Sequence, residues 1–120
     1  MDRKLILTTV VLLGLDMVYL KLTGGHFNTL VKSIQGNKLT LQIVPAVLAY
    51  ITLVFSLYYF IIRENRKITD AMLLGWSIYL VYDFTNKAIF DKWTWKTVLL
   101  DGVWGGILYG LTTYIVYRLK

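Results

Sequence analysis

The chain has no cysteine, one proline, one histidine and only seven acidic residues among its 120. Without cysteine there is no disulfide framework and no thiolate metal site. A lone His26 excludes a histidine pair at metal spacing, and no HExxH or Gly-rich phosphate loop occurs. No Ser has a His–Asp set near it, so a hydrolytic triad has no candidates, and no motif names a cofactor. The single Pro and the lack of low-complexity runs leave no linker, so one domain over residues 1–120 is expected.

What is abundant is apolar sequence. Hydrophobic residues make up 57% of the chain, against about 45–50% in a soluble domain. They come in long blocks rather than in strand-like alternation or narrow helical stripes. That pattern predicts an all-α, polytopic membrane protein. Four spans fit, over residues 5–22, 39–62, 71–88 and 95–117. Each is long enough for a hydrocarbon core of about 30 Å. The net charge of +6 would suggest nucleic acid in a soluble protein. Here the basic residues flank apolar blocks, where lipid headgroups are the expected partner and nucleic acid is not. The first block lacks a small-residue cleavage site, with Asp16 and Lys21 where one would lie, so a retained helix is expected.

The connections carry their own signals. In "TGGHFNTLVKSIQGNK", Phe27, Leu30, Val31 and Ile34 follow helical spacing. This predicts a short interfacial helix between the first two spans, with a corner at Gly24–Gly25 and an end at Gly36–Asn37. An ordinary loop fits equally well, with His26 solvated or facing headgroups. Pro45 stands near the start of the second span, where a kink would be mild. Thr69 or Asp70 is placed to cap the third helix, and Trp93 and Trp95 to sit at headgroup depth. Lys87 and Lys96 are expected to snorkel. Four spans put both termini on one side, with all four Arg (Arg3, Arg63, Arg66 and Arg118). That side is expected to be cytoplasmic.

Three acids interrupt the apolar blocks. Asp16 lies eleven residues into its span, roughly 16 Å, and Asp83 twelve into the third, roughly 18 Å. The fourth span runs back, and Asp101 falls roughly 21 Å from the same edge. Three helices thus carry a carboxylate at nearly one level. Tyr19, Asn86 and Trp104 follow each acid by three residues, on the same helical face, and Tyr79 and Thr97 precede two of them by one turn. An Asp at the centre of a span costs about 2.5–3.5 kcal/mol on insertion scales. Hydrogen bonds between helices return only about 0.6 kcal/mol each on average. An ion- or substrate-binding site at Asp16, Asp83, Asn86, Asp101, Trp104, Tyr19 and Tyr79 is therefore expected over a purely structural network. Gly102, Gly106 and Gly110 recur every fourth residue, with Gly105 beside them. This small-residue ridge predicts close helix packing, within the bundle or between copies as a homo-oligomer.

The stretches "DMVYL", "HFN" and "VYDFTNKAIFDKWTWKTVLLDGVWGG" resemble the domain-of-unknown-function 2177 family of predicted membrane proteins. The family pattern has D-x-x-W in the first span, then Y-D-x-T-N, a W-P pair and D-x-x-W-G. Asp16, Tyr82, Asp83, Thr85, Asn86, Trp93, Asp101, Trp104 and Gly105 match it. Tyr19 stands where the pattern has Trp, and Thr94 where it has Pro, which is expected to loosen the turn before the fourth span. The resemblance implies a four-helix membrane protein and points to the acidic layer as the site. It implies no activity. Proton, cation or small-solute transport is the reading that intramembrane acids favour. A membrane-embedded enzyme acting on a lipid or isoprenoid, with two carboxyls as acid and base, is the alternative. An accessory or assembly protein without chemistry is the third.

Overall fold

The computed structural model describes residues 2–37 and 42–119. They form four helices: α1 (Arg3–Gln35), α2 (Ile43–Leu57, prolonged by a π-helical segment, Tyr58–Ile62), α3 (Ile68–Ile89) and α4 (Trp95–Leu119). No strand occurs among the described residues. Residues 39–41, expected to open the second span, lie outside them.

Helix α1 overrides the corner expected at Gly24–Gly25. It runs unbroken for 33 residues to Gly36, whose φ of 81° ends it and whose N–H reaches the Lys32 carbonyl. Two glycines in a helix cost about 1 kcal/mol each. The distal part of α1 offsets this by packing: Leu30 is buried against Trp93 and Val98, with Phe27 and Ile34 around it. The Lys92 ammonium donates to the Ser33 carbonyl at 2.8 Å, tying the same segment to the α3–α4 connection. The interfacial residues are thus a continuation of the first helix rather than a separate one.

Pro45 sits in the first turn of α2, where its missing N–H has no helical partner to lose. Helix α3 starts before Thr69 and Asp70. Lys67 is its cap residue, without a side-chain capping bond, and Asp70 lies inside the first turn, where a carboxylate suits the helix dipole. At α4, Thr94 does what the proline of the family pattern cannot. Its hydroxyl accepts from the Thr97 N–H at 3.1 Å and caps the helix.

Arg3 and Leu119, near the two ends of the chain, lie at one end of the molecule. Arg3 donates to the Leu119 carbonyl, the Lys4 ammonium to Asn65 at 2.9 Å, and the Tyr117 hydroxyl to the Arg66 carbonyl at 2.7 Å. Asp2 accepts from the Tyr58 hydroxyl and the Lys4 N–H, and both hold its carboxyl below the ordinary carboxylate range. The chain passes from the π-helical segment into α3 through Asn65, which is left-handed at φ 53°, a conformation Asn tolerates.

The main core gathers Leu12, Leu57, Ile61, Ile62, Leu108, Tyr109 and Val116. Helices α3 and α4 form its tightest seam. A Cβ on Gly75 would stand 2.1 Å from the Gly105 carbonyl oxygen, and one on Gly106 would stand 2.0 Å from the Trp76 indole nitrogen. Leu80, Tyr79 and Met72 fill the spaces over Gly102, Gly105 and Gly110. The small-residue ridge is therefore covered by α3 of the same chain.

Helix α1, the stretch Ile43–Ile62 and α4 are long and apolar enough to cross a membrane. Helix α3, which carries Asp70, Asp83 and Lys87, is not among them. The molecule measures 45 × 25 × 21 Å, and its long dimension matches a bilayer with headgroups, about 40–45 Å.

Candidate functional site

The three acids lie near one another, and all are buried. Their environments differ. Asp16 has a donor on each oxygen: the Trp104 indole on Oδ1 at 2.9 Å and the Tyr50 hydroxyl on Oδ2. Asp101 Oδ1 accepts from the Tyr19 hydroxyl at 3.2 Å. The donors cross over. Tyr19, three residues after Asp16 on α1, serves Asp101. Trp104, three residues after Asp101 on α4, serves Asp16. Their rings stack at 4.7 Å with planes 2° apart. Two helices are thus braced by a reciprocal exchange of donors around one aromatic stack.

Asp83 is the exception. It is fully buried, and neither carboxylate oxygen receives a hydrogen bond of good geometry. Its polar neighbours are the Asp101 carboxyl and the Trp93 indole. The Trp93 N–H is itself buried without an acceptor. Asn86, expected to solvate Asp83 from the next turn, lies beside the Tyr82 hydroxyl instead. Tyr79 packs its ring over Gly105.

Beside the acids lies a cavity of about 860 Å3, reached by all four helices. Asp16, Tyr19 and Phe27 enter from α1, Leu48, Thr52 and Ser56 from α2, Tyr79 and Tyr82 from α3, and Asp101 from α4. Trp93 closes one end; it is 5% exposed, within the protein rather than facing headgroups. Trp95 is 62% exposed, with the Lys87 ammonium over its ring at 5.7 Å. No Lys or Arg lines the cavity among the described residues. Nor do three His, Cys, Asp or Glu come within metal-ligating reach of one another there. The arrangement can hold a proton or a singly charged group, and it lacks the oxygen shell that Ca2+ or Mg2+ requires.

Sequence reasoning missed three participants. Tyr50 lies twelve residues before Ile62, roughly 18 Å, so the depth count applied to the acids would have found it. Trp93 was hidden by its connecting position. His26 belongs to α1, and its Nε2 stands 2.8 Å from the Thr97 hydroxyl oxygen, so it is engaged with α4 rather than solvated.

Long apolar helices of this kind are what a membrane protein family would show. The sequence pattern described as "Predicted membrane protein (DUF2177)" matches residues 3–118, and the chain belongs to that family. No curated protein and no solved structure matches it.

Proposed function

We propose that the protein is a small membrane transporter that exchanges protons with a cation or small solute at Asp83 and Asp101. The observation that carries this reading is Asp83, fully buried, with no hydrogen bond of good geometry to either oxygen and next to a second carboxyl. Two carboxyls brought together away from water cannot both hold charge cheaply, so one proton or one cation completes the pair. A fold that needed only a brace would use the Asp16 arrangement, in which each oxygen has its own donor.

In this reading α3 is the fourth span, its acid turned from lipid and its glycine face against α4. The distal turns of α1 reach the interface, since 33 residues rise about 50 Å. The termini face the cytoplasm, where the Arg residues cluster. A second copy would have to dock on a face other than the ridge that α3 covers. The apolar cavity beside the acids favours a second reading, an enzyme acting on a lipid. Conversion of a co-purified lipid by wild type and not by Asp101→Asn would decide for it.

Proton flux in proteoliposomes under an imposed pH gradient tests the transport reading. Flux is expected in wild type and absent in Asp83→Asn that retains its helical content. Equal flux in the two would overturn the assignment.

A further inference from the structure

We infer that the cavity binds a monovalent organic cation with an apolar body, which enters from the bilayer between α2 and α3 and sets its charge against Asp101. The inference rests on the exchange reading of Asp83 and Asp101 and supplies its substrate class.

The route follows from the packing. Helix α2 packs on α1, and its π-helical end on α1 and α4, while α3 packs along α4. The space left between α2 and α3 is the cavity. Its rim is exposed more than one helical turn from the helix ends, with Leu48 57% and Tyr82 56% accessible. A mouth at that height opens on hydrocarbon and admits a solute that partitions into lipid.

The charge follows from the lining. The cavity's carboxyls are Asp16 and Asp101, with no basic residue to balance them among the described residues. A phosphate or carboxylate headgroup would meet two carboxyls and no cation there. Asp16 already has its donors, so Asp101, backed by the unpartnered Asp83, is the acceptor with capacity to spare. Tyr19, Phe27, Tyr79, Tyr82 and Trp93 surround that end. Aromatic faces attract an organic cation and solvate its apolar substituents. A divalent metal is disfavoured because no three ligands converge. The arriving cation displaces the proton held between Asp83 and Asp101, so charge at the pair is conserved.

The test uses two ions of one shape and opposite charge, tetraphenylphosphonium and tetraphenylborate, with the purified full chain in detergent. Phosphonium is expected to bind wild type and borate is not. Binding should weaken by about tenfold or more in Asp101→Asn. It should also weaken in Ala49→Trp, which projects into the cavity and leaves every acid in place. Protons should be released as phosphonium binds in weak buffer. Equal binding of both ions, no binding of either, or wild-type affinity in both variants would overturn the inference. Proton flux that depends on Asp83 without phosphonium binding would remove the cation and leave the transport reading. Phosphonium binding without flux would do the reverse.

Discussion

The two sides of α3 are built on opposite terms. Toward α4 the helix lies on glycine, so close that a single methyl group at Gly75 would strike the Gly105 carbonyl oxygen. Toward α2 it leaves about 860 Å3 unfilled. Tyr79 belongs to both sides, its ring over Gly105 and its edge in the cavity. The contrast teaches what each side is for. Packing in a membrane has no hydrophobic effect to draw on, so a stable seam needs close van der Waals contact. A chain able to build that seam on one face had the means to close the other, and the open face is where the acids are.

Substitutions that add volume should separate the two sides, and the seam should show the largest effect. Gly75→Val places atoms against backbone that cannot move aside, and a loss of about 3 kcal/mol in unfolding from detergent is expected. Next in size is Asp16→Asn. It keeps the side-chain shape but replaces one acceptor oxygen by an NH2 that faces the Tyr50 hydroxyl or the Trp104 indole, and should cost about 1–2 kcal/mol in the same measurement. On the cavity side, Ala49→Leu enters open space and should leave stability within about 0.5 kcal/mol of wild type. If Ala49→Leu were as damaging as Gly75→Val, the cavity would be part of the packing after all.

Much of this was legible in the sequence because it depends on local rise and local size. The depth count sets Asp16, Asp83 and Asp101 at one level, since 1.5 Å per residue holds on any helix. The hydrogen bonds of Tyr19 and Trp104 join α1 to α4 at that level. The glycine spacing of α4 marked a close approach before any partner was known. Other features depend on distant contacts. Gly24–Gly25 signals a turn in isolation, and contacts with distant residues, Leu30 with Trp93 and Val98 and His26 with Thr97, keep α1 helical through it. Which acid each donor serves could not be read from one helix, because Tyr19 and Trp104 serve each other's neighbour. The π-helical turn at Tyr58–Ile62 carries no residue signature that departs from an α-helix.

The smallest expected effect lies at the terminal end, far from both faces of α3. Asp2 titrates below its ordinary value because Tyr58 and Lys4 bond to its ionised form. Its contribution is therefore present above the unfolded pKa, about 4, and is lost as pH falls through the lower folded value. Asp2→Asn should lower Tm slightly at pH 7 and match wild type at acid pH, so that its decline below about pH 4 is flatter. A profile identical to wild type would remove Asp2 from the ties at that end.

The central claim is that Asp83 is kept for exchange and not for the fold. The most direct test is the Tm of Asp83→Asn beside Asp16→Asn in one detergent at pH 7. An acid buried with no well-formed hydrogen bond contributes little to the folded state that an amide of the same shape would lose. Asp83→Asn should therefore melt at or above the wild-type temperature, and Asp16→Asn below it. An Asp83→Asn protein that melts lower than Asp16→Asn would make Asp83 a structural brace and contradict the account.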